Sequence, residues 1–373
     1  MTRKNTQKTV ERILGFAGIT INGSRDWDIQ VHNENFYNRV LAETDLGLGE
    51  SYMEKWWSAK ALDQFIERLL NADIESFLKK NARFLLDFVT AKVFNLQTRQ
   101  RSLQVGLRHY DIGNDLFKSM LDKRMLYTCG YWKNAETLDE AQEAKLDMIC
   151  RKINLKPGMK VLDLGCGFGA FAKFAAENYG ARVIGYNISK EQVKLGKEMN
   201  KGLPVELRQE DYRNASGKFD RVLSIGMLEH VGPKNYRKYM KIVNNTLKDD
   251  GIAFIHTIGG NRTTTVTNRW VNKYIFPNGK VPSIAQLAKA MEGIFVVEDW
   301  HNFGEDYDKT LMAWHDNFTA AWPRLQNRYG EKFYRMWKFY LLSCAAAFRA
   351  RTNQLWQVVM TKTGTPQPQC RIV

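Results

Sequence analysis

A ten-residue segment near the middle of the chain has the residue types of a ligand-binding turn. The segment KVLDLGCGFG, residues 160–169, passes from a short apolar run to alternating glycines, and a helical pattern follows. Gly165, Gly167 and Gly169 allow a tight turn that brings backbone N–H groups against a ligand at the positive end of the helix. Asp163, just before them, suits a cation better than a pyrophosphate. The segment predicts a nucleotide-type binding turn, with an ordinary strand-to-helix turn as the alternative.

The residues after this turn repeat a strand and helix pattern. Strand-like runs at 182–186, 205–208 and 219–225 alternate with helical stretches, which predicts βαβ units and a parallel sheet. The order of VLDLGCGFG, an acid-bearing turn at 209–212 and FDRVLS resembles the S-adenosylmethionine-dependent methyltransferase fold. We therefore expect an α/β protein with a Rossmann-like class I methyltransferase domain.

The chain is long enough for two domains. It has 373 residues, of which 44% are hydrophobic. Residues 1–94 read as short helices without a catalytic cluster, which predicts a small, mainly helical N-terminal domain. The polar and basic stretch 95–108 lacks apolar periodicity and predicts a linker. Residues 109–373 are expected to form the catalytic domain, with an acyl-chain-covering insertion at about 260–352.

Cysteine usage and hydropathy favour a cytoplasmic protein. The five cysteines form no C-x-x-C pair, so neither a disulfide framework nor a zinc site is indicated. Residues 1–12 contain no apolar signal region, and no apolar run has the length needed to span a bilayer. We expect a protein that is soluble or peripheral to a membrane.

The positive charge is concentrated in the later part of the chain. Residues 1–150 sum to zero, and residues 151–373 carry the whole net charge of +15. Two basic groups are Lys234, Arg237, Lys238 and Lys241, and Arg262, Arg269, Lys273 and Lys280. An anionic partner, either nucleic acid or anionic lipid, would use such a surface, and a solvated surface without a partner is the equal alternative.

Seven spaced segments carry a narrower resemblance. They are HYDIGNDLF at 109–117, YTCGYW at 127–132, LDLGCGFG at 162–169, GMLEHVGPKNY at 226–236, HTIG at 256–259, YIFPNG at 274–279 and WHNFG at 300–304. In this order they resemble the bacterial cyclopropane-fatty-acyl-phospholipid synthases, and the similarity extends over nearly the whole chain. The resemblance implies transfer of a methylene group from S-adenosylmethionine to the cis double bond of an unsaturated acyl chain in a membrane phospholipid. The implied products are a cyclopropane acyl chain and S-adenosylhomocysteine.

By the same resemblance, the cofactor contacts are expected at the carboxyl ends of the strands. The glycine turn would hold the methionine part, the end of the second strand the ribose and the acid-bearing turn the adenine, while a preceding loop closes over the cofactor. In that order the residues are Asp163, Gly165, Cys166 and Gly167; Asn187, Ile188 and Gln192; Asp211 and Tyr212; and Tyr127 and Thr128. A turn or packing role is the alternative for each of them.

The implied reaction needs a base beside an apolar pocket. Methyl transfer to an unactivated alkene creates a carbocation, which must lose a methyl proton before the ring closes. Glu229, His256, Tyr307, Cys129 and Ile258 resemble the family's pocket for a bicarbonate ion that serves as this base. The side chains of His256 and Tyr307 and the main-chain N–H groups of Cys129 and Ile258 can donate hydrogen bonds to such an anion.

Aromatic faces can stabilise the carbocation without reacting with it. The candidates near the motifs are Phe303, Tyr307, Trp314, Phe318 and Tyr274, and core packing is the alternative role for most of them.

Two other interpretations of these segments are disfavoured. His230 stands beside Glu229, but adjacent residues point apart and no third ligand has suitable spacing, so no metal is expected. The second is that Cys344 acts as a nucleophile. Cys344 lies in an apolar helical segment, which indicates a buried, inert thiol instead.

The resemblance also implies a homodimer that acts on unsaturated phospholipids at the inner face of the cell membrane. Its partner would be an anionic bilayer surface, with no nucleic acid. One alternative is an S-adenosylmethionine-dependent fatty-acyl methyltransferase that makes a methyl-branched or methylene product. The other is a basic RNA methyltransferase, which the charge favours but which the lack of an RNA-binding motif disfavours.

Overall fold

The computed structural model describes residues 3–74, 113–264 and 268–372. These residues group into two compact units. Unit 1 lies within Met1–Met120, Val266–Asn278 and Leu311–Thr352, and unit 2 within Leu121–Thr265, Gly279–Thr310 and Asn353–Val373. The linker predicted at 95–108 and the first four residues of the HYDIGNDLF segment, 109–112, lie outside the described residues. The predicted domain boundaries therefore stay a prediction.

Unit 1 is mainly helical. It contains one antiparallel pair of short strands, β1 (Ile29–Val31) and β2 (Trp57–Ala59). Its helices are α1 (Arg3–Phe16), α2 (Asn35–Met53), α3 (Leu62–Asn71), α4 (Asn114–Met120), α10 (Arg269–Tyr274) and the part of α12 (Glu305–Arg349) from Leu311 onward. The helical pattern predicted around Leu62, Phe65 and Ile66 is confirmed, because these three residues form the buried face of α3.

A buried carboxylate joins two helices of unit 1. Glu50 of α2 accepts hydrogen bonds from Lys273 Nζ at 2.7 Å and from the Tyr274 hydroxyl at 2.8 Å, and it pairs with Arg39. Burial alone would raise the pKa of Glu50, but these partners lower it. The Tyr274 ring packs against Trp270, with the ring centroids 5.5 Å apart. Within unit 1, Tyr274 thus has a structural role.

Unit 2 is built on a seven-stranded sheet. Its strands are β3 (Lys160–Leu164), β4 (Arg182–Asn187), β5 (Val205–Gln209), β6 (Phe219–Ile225), β7 (Leu247–Gly260), β8 (Val296–Asn302) and β9 (Asn353–Thr361). The strand order is β5-β4-β3-β6-β7-β9-β8. The first five neighbours run parallel, whereas β9 is antiparallel to both β7 and β8. The predicted α/β fold with a parallel sheet is confirmed.

Helices connect and flank these strands. They are α5 (Leu138–Lys152), α6 (Ala170–Tyr179), α7 (Lys190–Met199), α8 (Leu228–Val231), α9 (Tyr236–Thr246), α11 (Ile284–Met291) and the start of α12. Helix α5 begins with the predicted capping box, in which Thr137 and Glu140 bond each other's backbone N–H groups. Alternation along β3 places Leu162 and Leu164 in one apolar cluster and Val161 in another. The sheet is therefore covered on both faces.

One strand lies where the sequence predicted only an insertion and helices. Strand β8 falls within 260–352, yet it pairs with β9 from Val296 opposite Thr361 to Asn302 opposite Trp356. Its first two residues, Val296 and Val297, are exposed at the edge of the sheet. An edge strand lacks the buried apolar run that identifies a central strand, which explains why the pattern was missed.

Within the described ranges, no helix combines the length and the apolar composition that crossing a membrane requires.

Candidate active site

The parallel strands bring the predicted cofactor residues to one edge of the sheet. The carboxyl ends of β3, β4, β5 and β6 lie side by side, so the segments that follow them are neighbours in space. Backbone hydrogen bonds join these segments: Gly165 N donates to Tyr186 O at 2.9 Å, and Glu210 N donates to Asn187 O at 3.0 Å. This edge is where an α/β sheet with this order binds ligands.

The glycine turn after β3 has the geometry of a ligand cradle. The backbone of Gly167 has a φ of 55°, and a Cβ atom there would meet no described atom within 4 Å. At Gly165 a Cβ atom would lie 2.9 Å from Met227 Sδ, so only glycine lets the backbone approach that side chain. The turn is open at one glycine and tightly packed at the other.

Asp163 is a buried carboxyl group that lacks a partner. It is 2% exposed, and its Oδ1 atom has no hydrogen-bond partner in the described part of the chain. Burial raises its pKa to about 7. An unpaired buried carboxyl group is costly unless a ligand supplies the missing donor or charge. Together with the open turn at Gly167, Asp163 fits the amino-acid part of S-adenosylmethionine.

Asn187 ties the second strand to the glycine turn. Its Nδ2 atom donates to Gly167 O at 3.0 Å and to Gln192 Oε1 at 2.8 Å. Its Oδ1 atom accepts from Ser189 N at 3.1 Å, which starts α7. Ile188 is 73% exposed beside this turn. Asn187 thus shapes the turn, while Ile188 offers apolar surface to a ligand.

The two residues predicted at the adenine are already engaged in the protein. Asp211 Oδ1 caps a short 3₁₀ turn by accepting from Arg213 N at 2.9 Å. Tyr212 is buried and packs on Tyr239, with ring centroids 5.4 Å apart. These contacts favour a packing role for the Tyr212 ring, and a ligand role for either residue stays a prediction.

The loop before α5 lies against the end of β6. A Cβ atom on Gly226 would come within 2.8 Å of Thr128 Cγ2, so the Thr128 side chain covers that glycine. Gly165 and Gly226 lie at the ends of the neighbouring strands β3 and β6. The loop that contains Tyr127 and Thr128 therefore reaches the edge of the sheet that carries the glycine turn.

Glu229 is fixed by the backbone of β7. Its Oε1 atom accepts from Ile258 N at 2.6 Å, and its Oε2 atom has no partner among the residues described. Burial raises its pKa above the usual value. The main-chain N–H of Ile258, predicted as a donor to an anion, instead donates to Glu229 in this structure. Glu229 Oε2 then has capacity for a further hydrogen bond, which it can donate when it is protonated.

His256 lies two residues before Ile258 on β7, and one nitrogen of its ring contacts Gln357. Its Nδ1 atom is 3.3 Å from Gln357 Nε2, and its Nε2 atom has no partner in the described ranges. Burial and the charges of Lys145 and Lys152 keep its pKa well below the usual value, so the ring is neutral. In the tautomer that carries its proton on Nε2, Nδ1 accepts from Gln357 and Nε2 can donate to an anion.

The segment from Phe303 to Thr310, which contains Tyr307, contacts both His256 and the residue after Cys129. Phe303 packs edge-on against the His256 ring, with centroids 6.0 Å apart, and Tyr307 follows one turn later, where its N–H donates to Gly304 O at 3.1 Å. Farther along α12, Thr310 Oγ1 accepts from the N–H of Gly130, next to Cys129, at 3.0 Å. Cys129 is buried, which raises the pKa of its thiol well above the usual value.

The remaining aromatic candidates belong to the other unit. Phe303 and Tyr307 are in unit 2, whereas Trp314, Phe318 and Tyr274 are in unit 1. Trp314 and Phe318 are fully buried there. A role for these three rings near the carbocation stays a prediction.

Cys344 is half-buried in α12, and its apolar surroundings raise the pKa of its thiol to about 12, so it is not a thiolate at neutral pH. The described residues contain no group of three side chains that could hold a metal ion.

Sequence reasoning missed four buried polar residues around this site: Gln142, Lys145, Thr310 and Gln357. None of them belongs to a motif with a recognised spacing. Buried polar residues on helices or strands look like solvent-facing positions in a sequence, because burial depends on non-local packing. Only the periodic burial of α5 could have placed Gln142 and Lys145 on its inner face.

Comparisons with known proteins agree with this geometry. The family model for mycolic acid cyclopropane synthetase matches residues 97–358. The cyclopropane-fatty-acyl-phospholipid synthase of Escherichia coli strain K12 is 51% identical over 358 residues, which cover 96% of this chain and 94% of that protein. A probable fatty acid methyltransferase of Pseudomonas putida is 36% identical over 267 residues, covering 68% of both chains.

A solved structure extends the comparison to the fold. The crystal structure of the mycolic acid cyclopropane synthase CmaA1, complexed with SAH and CTAB, is 29% identical in sequence with a TM-score of 0.64. The match covers 68% of this chain and 96% of that one. The family model covers well over half of the residues, and the E. coli relative is similar over almost all of them. The chain belongs to the mycolic acid cyclopropane synthetase family of S-adenosylmethionine-dependent enzymes.

Proposed function

We propose that this chain transfers a methylene group from S-adenosylmethionine to the cis double bond of an unsaturated acyl chain in a membrane phospholipid. The products are a cyclopropane acyl chain and S-adenosylhomocysteine. The observation that carries the proposal is the 51% identity to the E. coli cyclopropane-fatty-acyl-phospholipid synthase over 96% of the chain.

The glycine turn and its neighbours would hold the cofactor. S-Adenosylmethionine, when bound, supplies a methyl group on a positively charged sulfur. Asp163 offers a buried carboxyl oxygen without a partner, and the open space at Gly167 lets a ligand approach the backbone. Asn187 keeps the turn in this shape through its bond to Gly167 O. These residues bind and orient the cofactor and do not remove the proton from its methyl group.

The double bond supplies the electron pair for a new bond to the methyl carbon. The carbon–sulfur bond of that methyl group breaks and its electron pair stays on the sulfur, so that the positive charge passes to the acyl chain as a carbocation. A proton must then leave the methyl group, so that the C–H electron pair can close the ring. We propose that a bicarbonate ion, when bound, supplies the base for this proton. Glu229 Oε2 and His256 Nε2 are two buried polar atoms without partners in the part of the chain that is described, which fits an anion site.

The protein's own groups have distinct roles at this proposed site. His256 Nε2–H donates to an anion, while Gln357 keeps the ring in that tautomer. Glu229 is aimed by the N–H of Ile258. Phe303, against the His256 ring, excludes water from a cation that water would destroy. Tyr307 and the main-chain N–H of Cys129 stay proposed as further donors.

The product test distinguishes this reaction from fatty-acyl methylation, which the similarity to the P. putida protein keeps open. The purified protein would be incubated with labelled S-adenosylmethionine and vesicles of unsaturated phospholipid. A cyclopropane product has the mass of the substrate plus one CH₂ and survives mild hydrogenation. A methylene product of the same mass takes up hydrogen, and a methyl-branched saturated product is heavier by two hydrogens. Either of these would overturn the proposed function.

We further propose that the enzyme works as a homodimer at the cytoplasmic face of the membrane and binds anionic lipid. The net charge of +15, all from residues 151–373, supports an anionic partner. The rival partner of the same charge is RNA. Vesicle binding in competition with RNA decides between them, and light scattering of the protein in solution tests the dimer.

A further inference from the structure

Helix α5 carries two buried lysines on the same face, seven residues apart. Neither Lys145 nor Lys152 is exposed. Lys152 has a counter-charge, because its Nζ atom is 3.1 Å from Asp299 Oδ2. Lys145 Nζ instead donates to the hydroxyl oxygen of Thr128 at 2.9 Å, and no carboxylate oxygen of the described residues lies within 4.0 Å of it. In the described part of the chain, Lys152 thus has a charged partner and Lys145 has a neutral one.

Lys145 acts together with Gln142, one turn earlier on the helix. Gln142 Nε2 donates to the main-chain oxygen of Thr128 at 2.8 Å. The two side chains thus bind both oxygen atoms of Thr128, while Gly226 leaves room for its methyl group. Since the lysine ammonium is the donor to Oγ1, the hydroxyl proton of Thr128 must point to another acceptor. The hydroxyl group of Thr128 is therefore available as a donor.

The charged groups around Lys145 do not neutralise it. Asp122 is the acidic group whose charge acts on it, but the Asp122 oxygens already accept from Arg124 N at 2.9 Å and Leu126 N at 2.8 Å. Burial lowers the pKa of Lys145 to about 8. Burial lowers the pKa of His256 and raises that of the Cys129 thiol, and the charge of Lys145 adds to the first effect and opposes the second. A buried ammonium with unused donors favours an anion beside it.

We propose that Lys145 is a positioning residue that supplies the buried positive charge for a planar carboxylate-type anion bound beside Thr128. Two sources have this chemistry: the carboxylate of the cofactor's amino-acid part, and bicarbonate. The inference rests on the proposed function, because that function is what calls for S-adenosylmethionine and bicarbonate as ligands. Lys145 acts through Thr128 and through its charge, and it forms no bond with the reacting carbons.

The test replaces Lys145 with methionine, which keeps the side-chain length and removes the charge. Lys152→Met, on the same helix face and equally buried, is the matched control. Binding of S-adenosylhomocysteine and of 5′-methylthioadenosine, which lacks the carboxylate, is measured by calorimetry. The half-saturating bicarbonate concentration is measured with the full enzyme and lipid vesicles.

If the anion is the cofactor carboxylate, Lys145→Met weakens S-adenosylhomocysteine binding roughly 10- to 100-fold and leaves 5′-methylthioadenosine unchanged. If it is bicarbonate, both nucleosides bind as in the wild type and the half-saturating bicarbonate concentration rises by about the same factor. Lys152→Met destabilises the fold, since it leaves Asp299 without its buried lysine partner, but preserves the ratio of the two nucleoside affinities.

Equal weakening of both nucleosides, or no change in any of the three constants, would overturn the proposal. If Lys145→Met does not fold, the pH dependence of the wild-type protein tests the proposal instead. Its preference for S-adenosylhomocysteine over 5′-methylthioadenosine, or its response to bicarbonate, must fall as the pH rises through about 8, where Lys145 loses its proton. A flat profile would also overturn the proposal. Failure of the wild type to bind S-adenosylhomocysteine at all would count against the proposed function instead.

Discussion

At the scale of single residues, the candidate site is defined by buried polar atoms that lack partners within the protein. Asp163 Oδ1, Glu229 Oε2 and His256 Nε2 are of this kind in the part of the chain that the structure describes. Buried polar groups in folded proteins are nearly always hydrogen-bonded, so each such atom needs an explanation. A cofactor at Asp163 and an anion at the other two provide one.

The raised pKa of Asp163 predicts proton release on cofactor binding. The folded-state pKa of about 7 lies above the usual 3.8, so this group lowers stability as the pH rises from about 4 to about 7. A cationic or donating ligand favours the ionised form, and affinity for S-adenosylmethionine should therefore rise with pH up to about 7. Calorimetry near pH 6 in two buffers of different ionisation enthalpy measures the proton released.

The control for this measurement is Asp163→Asn, which has a similar shape and cannot ionise. It should release no proton, and its affinity for S-adenosylmethionine should not rise between about pH 5 and about pH 7. Equal proton release by the variant and the wild type would show that another group titrates.

Glu229 and Cys344 give opposite predictions about the chemical step. Glu229→Leu removes the hydrogen-bonding atoms that face the proposed anion, so the rate should fall by roughly 10²- to 10⁴-fold while S-adenosylhomocysteine still binds. Glu229→Gln keeps one donor and one acceptor and should lose less. Cys344→Ala should remain active, because a thiol with a pKa of about 12 is not a nucleophile at neutral pH.

Rates are measured with lipid vesicles, with dissolved carbon dioxide removed and bicarbonate then restored. Removal should slow the wild type, and restoration should recover it. A folded, cofactor-binding Cys344→Ala protein without activity would refute the base-site proposal, as would full activity in Glu229→Leu.

At the scale of elements, the glycine turn after β3 combines positive φ angles with open space. Gly167→Val should abolish cofactor binding, because the new side chain would project into the space that a ligand uses. Gly202, in the turn after α7, is a matched control: its φ is 84°, and a Cβ atom there would also meet no described atom within 4 Å. Both substitutions put a β-branched residue at positive φ and should cost about 1–3 kcal/mol of stability.

Thermal unfolding and calorimetry with S-adenosylhomocysteine measure the two effects separately. The expected result is a similar loss of stability in both variants and a loss of binding in Gly167→Val alone. Retained affinity in a folded Gly167→Val protein would remove the cofactor from this turn.

At the scale of the whole molecule, the net charge of +15 predicts salt-sensitive attachment to anionic bilayers. Electrostatic attraction is screened over about 10 Å at 0.1 M salt, so co-sedimentation with anionic vesicles should weaken steeply as salt is added. Reversing the charge of Lys238 and Lys241, which are exposed on α9, by replacing both with glutamate should weaken vesicle binding further. The matched control replaces Lys194 and Lys197, which are exposed on α7, with glutamate, and so makes the same change in net charge on another helix.

Equal losses in the two double variants would mean that total charge governs attachment, and a larger loss on α9 would locate the bilayer-facing group. Binding that ignores both salt and anionic lipid content would contradict the electrostatic proposal. Binding to RNA as tight as to vesicles would favour the rival partner.

Much of the α/β framework could be predicted from local patterns. The βαβ order, the capping box of α5 and the turn at Gly165 and Gly167 depend on residues that are neighbours in the chain. Hydrophobic period, capping and glycine conformation are local properties, so the sequence by itself determines them. The spaced motifs were likewise enough to identify the family, which the comparisons confirm.

Only the tertiary structure decided the hydrogen-bond partners of the buried groups. It placed β8 in the sheet, gave the Ile258 N–H to Glu229, and buried Tyr212 against Tyr239. Among the residues that the structure describes, it paired Lys152 with the carboxylate of Asp299 but gave Lys145 only the hydroxyl oxygen of Thr128. These outcomes depend on residues far apart in the chain that folding brings together. Burial and pairing are properties of that packing, which no local pattern in the sequence contains.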